Sequence, residues 1–289
     1  MSVAERLVAW FRSYRGQPLS LVLRLAMLLS VAATVGMLLL LLGHILVRGV
    51  PALLECLPSI FAWEYNGENV SMTPAIVNTV LVTLLSLLAA VPLGIGAAIY
   101  LAEYAPRRSR LVQIIQLATE TLAGIPSIIY GLFGYLLFVL ALGFGYSLGA
   151  GVVTLALMIL PLIIRTSQEA LESVPDTFRE GSFGLGAGRL RTVFRVVLPS
   201  AVPGILAGVI LAVGRIAGES AALIFTAGTY AAVPDSLGDS ARTLSVHIYA
   251  LLSEGLYTRQ AYATAVVLLV VVVGINTLSA FVARKLVRR

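Results

Sequence analysis

The sequence predicts an all-α integral membrane protein with six transmembrane helices, and three observations carry that prediction. Hydrophobic residues make up 59% of the 289 and charged residues only 12%, about half the charge of an ordinary soluble domain. Apolar runs close to the length a helix needs to cross a bilayer core recur six times along the chain. The basic residues gather in alternate connections between those runs. Together these exclude a soluble globule, a disordered tail protein and a disulfide-stapled scaffold.

Leu25 to Val47 is the first run, free of charge, and it follows Arg6, Arg12, Arg15 and Arg24. A charged start before an apolar run resembles a signal peptide. This run is too long for one, however, and no small-residue cleavage site follows it. It reads as an uncleaved anchor, span one. Ile76 to Ala102 is span two, with Pro92, Gly94 and Gly96 inside it. In span three, Gln113, Gln116, Thr119 and Glu120 share one face of Leu111 to Ala123. Pro126 then breaks the pattern before an apolar stretch to Ala141. A polar stripe beside a proline break suits a helix facing protein or water, with Glu120 paired to a neighbouring helix. Gly149 to Ile164 is span four, Val202 to Phe225 span five and Tyr262 to Ala283 span six.

Short cytoplasmic loops collect arginine and lysine. The N-terminal segment, the 103–110 and 165–198 connections and the C-terminal tail hold sixteen basic residues. Connections 48–75 and 227–259 hold three: Arg48, Arg242 and Arg259. Both termini are therefore expected in the cytoplasm. The organisation that follows is a cytoplasmic segment 1–24, a first span 25–47, a periplasmic loop 48–75, a five-span core 76–283 and a cytoplasmic tail 284–289. The net charge of +6 is then a topology signal, and no nucleic-acid partner is expected. Cys56 is the only cysteine, and the only lysine, Lys285, follows Arg284 at the chain end. A cysteine-pair metal site, a phosphate-cradling nucleotide loop and a core Schiff-base lysine are thereby excluded. His44 and His247 are too far apart in sequence to suggest a metal cage, and no His-Glu-x-x-His pattern supports an intramembrane enzyme.

Two features are left over from topology. Arg215 and Glu219 lie four apart inside span five, in GRIAGESAALIFTAG. Each charge at mid-membrane costs about 2.5–3.5 kcal/mol. Spaced four apart they lie on one helix face, about 6 Å apart along the axis, and can neutralise each other. The pair reads either as a structural lock against a neighbouring helix or as part of an anion pathway, where a guanidinium meets oxyanions through two parallel hydrogen bonds. The second feature is the loop 166–199 between spans four and five, longer than an ordinary connector. Ser173 and Asp176 are helix N-cap candidates, and Gly186 or Gly188 is placed to end the helix that Asp176 starts. Leu190, Val193, Phe194 and Val197 recur at helical spacing before Pro199. Two short amphipathic helices at a glycine elbow make a docking surface for a soluble partner. Among smaller features, Arg165 reads as a snorkelling anchor closing span four, and Glu103-Tyr104 as an interfacial marker at the end of span two. Pro92, Pro126 and Pro161 read equally as hinges or as ordinary membrane-helix prolines.

In this loop Glu180-Gly181-Ser182, Gly186, Val196 and Leu198-Pro199 stand at the spacing of the cytoplasmic signature of bacterial ATP-binding-cassette importer permeases. Gly181 and Ser182 replace two alanines and Val196 an isoleucine. The segments 92–106, 125–135, 161–187 and 214–228 further resemble the A-type permeases of phosphate-specific importers. The resemblance implies a type I importer permease core of the methionine-permease kind, with a cytoplasmic coupling loop built on those seven residues. It implies a bacterial inner-membrane location and inward transport of inorganic phosphate, with another oxyanion (phosphonate, molybdate or sulfate) as the alternative. The implied partners are a second, related permease chain, an ATPase dimer that binds ATP and magnesium, and a periplasmic phosphate-binding protein; this chain itself carries no cofactor and is not an enzyme. By position the resemblance assigns Arg215 and Glu219 to the substrate pathway, with Arg165 beside them.

Overall fold

A computed structural model describes residues 18–57, 61–66, 69–106, 109–255 and 257–287, and every regular element among them is helical. The chain forms two compact units, one ending at Arg48 and one starting at Gly49. Helix α1, Pro18–Glu55, makes up the described part of the first unit and runs into the second through Pro51.

In the second unit, α2 is Thr73–Ile99 and is prolonged by a π-type turn over Tyr100–Tyr104. Next come α3, Arg110–Ala123, and α4, Ser127–Gly134, the latter prolonged by a π-type turn over Tyr135–Ala141. Proline disfavours helical backbone in the residue before it, and here the two helices meet at Pro126 with a bend of 103°. Among the described residues five helices are long and apolar enough to cross a membrane, and the bent pair is the sixth when taken as one span. The remaining helices are α5, Leu148–Glu172; α6, Asp176–Gly184; α7, Arg189–Thr192; α8, Leu198–Ala217; α9, Ala221–Thr226; α10, Leu244–Glu254; and α11, Thr258–Val287. A π-type turn, Val193–Val197, joins α7 directly to α8.

The core lies where α5 packs between α2 and α8. Val82, Leu155, Met158, Ile159, Ala212 and Ile216 are buried there in one cluster. In lipid, helices associate through close packing of small residues more than by escaping water. A side chain at Gly94 would meet Ile163 Cγ2 at 2.6 Å, and one at Gly208 would strike Thr166. Two buried hydroxyls of α2 bond within their own helix, Thr79 and Thr83 donating to the Ala75 and Thr79 carbonyls, each at 2.7 Å, while Ser86 donates across to the Val152 carbonyl of α5 at 3.3 Å.

Two helices end where the sequence pattern did not place their ends. Span four does not stop at Ile164 but continues to Glu172. Its extension is polar and stitched along one surface by Arg165–Glu169 (2.9 Å) and Gln168–Glu172 (2.8 Å), pairs that sustain a helix beyond the apolar run. The helix of span four thus runs on past Arg165. Span five, predicted as one helix from Val202 to Phe225, breaks at Gly218–Ser220 into α8 and α9. The apolar α10, inside the 227–259 connection, went unpredicted; it is too short to span, and Gly255 ends it with a left-handed φ of 72°.

Candidate functional site

The loop between α5 and α8 is an elbow of two helical limbs. Asp176 occupies the first turn of α6, after Pro175 as cap, while Ser173 instead caps the end of α5 and donates to the Ala170 carbonyl. Neither is the side-chain N-cap the sequence suggested. The α6 terminus follows from one glycine. Gly186 has φ +81°, and its amide donates to the Phe183 carbonyl while Ala187 donates to Ser182. That paired closure needs a left-handed residue, which glycine adopts without penalty. Ser182 and Thr192 hydroxyls meet at 2.8 Å across the elbow. Val193 and Val197 are buried, but Leu190 and Phe194 face outward with Phe178, Phe183 and Leu185, the last 91% exposed. Of the seven signature residues, Glu180, Gly181, Gly186 and Pro199 are exposed, and Ser182, Val196 and Leu198 half-buried.

Beneath the elbow sits a charge cluster that no sequence spacing announced. Arg179 of α6 reaches 76 positions back to Glu103, with Nη2 to Oε1 at 2.6 Å and Nε to Oε1 at 3.1 Å. It also donates to the carbonyls of Val174 (2.6 Å) and Leu171 (2.9 Å) and to Asp176 (3.1 Å). The Glu103 hydrogen bond raises the guanidinium pKa above its ordinary value. Arg189 of α7 donates to the Glu103 backbone carbonyl and lies over the Tyr104 ring, 5.2 Å from its centroid. Glu103-Tyr104 is thus more than an interfacial marker, and Glu103 is buried.

Arg215 and Glu219 do not form the expected pair. Arg215 is half-buried in the last turn of α8, with no carboxylate partner among the described residues. Tyr130 of α4 lies within its electrostatic reach. Beyond the Gly218 break, the buried Glu219 turns to α9, where Oε1 accepts from the Ala222 amide at 3.1 Å. A carboxylate at a helix N-terminus satisfies a donor that the helix itself leaves open.

Arg165 joins Gln116, Thr119, Glu120, Gln168 and Glu169 around a polar cavity of about 240 Å³. Gln116, Thr119 and Glu120 of the α3 stripe therefore line a cavity, and among the described residues Glu120 makes no ion pair, Arg165 pairing with Glu169 instead. Thr119 also borders a larger apolar cavity of about 520 Å³ lined by Leu122, Tyr130, Leu157 and Pro161.

At the opposite end of the bundle, Arg242 donates to the Thr229 carbonyl (2.6 Å) and lies 5.3 Å from the Tyr65 ring centroid. Its Nη1 is 3.4 Å from His247 Nδ1. Asn78 of α2 binds the carbonyls of Ala232 (2.9 Å) and Arg242 (3.1 Å). Burial, then the Arg242 charge, pushes the His247 pKa down to about 4. The sequence reading had counted Arg242 for topology alone. Among the described residues, no three His, Cys, Asp or Glu side chains converge as metal ligands would.

Residues 90–289 match the family model described as binding-protein-dependent transport system inner membrane component. The chain is 37% identical over 192 residues to the probable ABC transporter permease protein YqgI of Bacillus subtilis, covering 62% of this chain and 65% of that one. It is 34% identical to phosphate transport system permease protein PstA 1 of Mycobacterium tuberculosis, covering 67% and 64%. Both alignments span just under two thirds of those relatives. It is also 36% identical to PstC of Mesorhizobium japonicum, covering 73% and 72%. Among solved structures, a bacterial alginate ABC transporter in complex with an alginate-bound periplasmic protein shares the fold at TM-score 0.69 and 19% identity, covering 92% and 95%. The inward-facing MetNI methionine transporter does so at 0.57 and 21%, covering 74% and 93%.

Proposed function

Because this chain belongs to the family of binding-protein-dependent transport system inner membrane components, we propose that it carries inorganic phosphate inward across the bacterial inner membrane. One observation carries the choice of an anion: Arg215, a half-buried guanidinium at the end of a spanning helix, has no carboxylate partner among the described residues. An oxyanion supplies what that site lacks, bound by two parallel hydrogen bonds. Similarity to PstA 1 and PstC supports phosphate among the oxyanions. The A-type assignment rests on the segments at 92–106, 125–135, 161–187 and 214–228.

In this reading the elbow side, residues 1–24 and tail 284–289 lie in the cytoplasm, while 48–75 and 227–259 face the periplasm. A binding protein delivers phosphate to that outer face. An ATPase dimer, which holds ATP and magnesium, docks on the exposed elbow around Glu180, Gly181, Ser182, Gly186, Val196, Leu198 and Pro199. One chain offers one elbow to a dimer, so a second, related permease completes the assembly. Phosphate passes Arg215, which must bind weakly enough to release it, and reaches the polar cavity at Arg165. Glu219 serves this pathway by fixing α9 beyond the break.

The test is uptake of radiolabelled phosphate by proteoliposomes holding the complete complex. Uptake should require ATP and be suppressed by excess unlabelled phosphate but not by equal molybdate, sulfate or phosphonate. No ATP-dependent uptake of labelled phosphate, with uptake of labelled molybdate, sulfate or a phosphonate in its place, would overturn the phosphate reading and leave the importer reading intact.

A further inference from the structure

Three helices supply most of the buried core: α2, α5 and α8. The elbow has a short covalent path to two of them, since α5 leads into α6 through a three-residue turn and α7 runs on into α8. A push on the elbow therefore reaches α5 and α8 through the main chain. It has no such path to α2, whose end lies 76 positions before Arg179 in sequence.

The side chains supply the missing connection. Glu103 sits in the π-type turn that ends α2. Arg179, from the first limb, binds the Glu103 carboxylate through two nitrogens, and Arg189, from the second limb, binds the Glu103 carbonyl and covers Tyr104. Both limbs thus grip Glu103, the first at its carboxylate and the second at its carbonyl. The same guanidinium holds the Leu171 and Val174 carbonyls at the end of α5, so one side chain bridges α2, α5 and α6. The grip is stiff for a physical reason. Glu103 is 7% and Arg179 15% exposed, and charge-assisted hydrogen bonds out of water are short, strong and directional.

We propose that Glu103 is a positioning residue for coupling: held by Arg179 and Arg189, it ties the end of α2 to the elbow. Displacement of the elbow by the ATPase then moves all three core helices as one body. This rests on the importer reading above. Without the tie, the elbow still receives the ATPase, hydrolysis continues, and α2 lags behind, so ATP is spent without a complete passage.

The readout is phosphate taken up per ATP hydrolysed, measured in proteoliposomes with the complete complex alongside complex yield. Glu103→Gln keeps an acceptor, and Arg179 keeps Asp176 and two carbonyls, so yield should hold. The ratio should fall about tenfold, the scale set by losing one charge-assisted hydrogen bond. A purely structural role predicts that yield, hydrolysis and uptake drop together, or that the ratio stays unchanged; either overturns the proposal. A second variant replaces the charge by a mechanical link. Glu103→Cys with Arg179→Cys, in a Cys56→Ser background, should show a low ratio that recovers when a bifunctional thiol reagent joins the two sites. No recovery in cross-linked complex overturns the proposal. If the unmodified complex takes up no phosphate, the phosphate reading fails by itself. The ratio is then taken with whichever of molybdate, sulfate or phosphonate that complex transports.

Discussion

Arg179 and Arg215 are chemically identical, both partly buried, and set in opposite surroundings. Arg179 is surrounded by acceptors: two carboxylates and two helix-end carbonyls. Arg215 has no carboxylate within ion-pair distance among the described residues. A guanidinium whose donors are all spoken for works as a strut, because removing it strands the groups it satisfies. One left without a counter-charge costs the fold something to keep and is worth keeping only for a ligand that comes and goes. Breaking each arginine separately tests that distinction.

The largest effect is expected at Arg215. Arg215→Gln should reduce phosphate uptake at least about 100-fold, the scale of losing a bidentate charged contact, with complex yield unchanged. Arg215→Lys should also impair uptake, because an ammonium has no planar fork. Since Glu219 caps α9 instead of pairing with Arg215, adding Glu219→Gln should not restore uptake. Recovery in that double variant, measured with labelled phosphate, would show that the two act as an ion pair after all.

Arg179 should behave the other way. Arg179→Ala leaves Glu103 buried without a cation, a situation that costs about 3–5 kcal/mol. Yield of assembled complex, quantified after detergent extraction, should collapse before activity can be compared. Normal yield from Arg179→Ala would erase the contrast with Arg215.

Much of this arrangement was legible in the sequence because it is local. Apolar length gave the spans, and Pro126 marked the bend. Gly186 and Gly188 announced the elbow, because a left-handed helix end favours a residue without Cβ, and Gly186 is the one that takes it. What escaped depended on distance or on a break. Glu103 and Arg179 are far apart in sequence, so no periodicity connects them. The Arg215–Glu219 pairing failed because i,i+4 geometry holds only on an unbroken helix, and Gly218 interrupts this one between the two charges. A glycine between two charged residues in an apolar run was the available warning. Arg242 and His247 were hidden by a different cause: Arg242 was counted only for topology and His247 only against a metal cage, and their packing with Tyr65 and Asn78 is a tertiary fact.

That third arginine sits between the two extremes, since its partners are a carbonyl, an aromatic face and a neutral imidazole. His247 shifts from an ordinary 6.5 to about 4, so the folded state favours the neutral ring. Its stabilising contribution is fully present above about pH 6.5 and lost as pH falls towards 4, because the opened state takes up the proton first. The whole effect is about 3 kcal/mol at most. Hydrogen exchange in 229–243 should therefore quicken, relative to the intrinsic rate, between those values, and His247→Gln should abolish that dependence. A pH-independent profile in the unmodified protein would mean that the imidazole is not closed in by Arg242.

The smallest effect is expected at Gly186, and it separates conformation from contact. A methyl there would meet nothing within 4 Å, so space is no objection; the backbone is, with φ at +81°. Gly186→Ala should then cost only the left-handed penalty, about 1–2 kcal/mol, while Gly186→Asn should cost less because asparagine tolerates that region. The loss should appear as faster proteolysis at the 184–188 turn, with uptake per assembled complex little changed by alanine. Gly186→Leu adds bulk on the exposed face beside Leu185, and only that variant should weaken ATPase docking. If alanine and leucine were equally harmful to docking, the turn geometry alone would set the interface. If all three substitutions were silent in proteolysis, the closure of α6 through Phe183 and Ser182 would not depend on a left-handed residue.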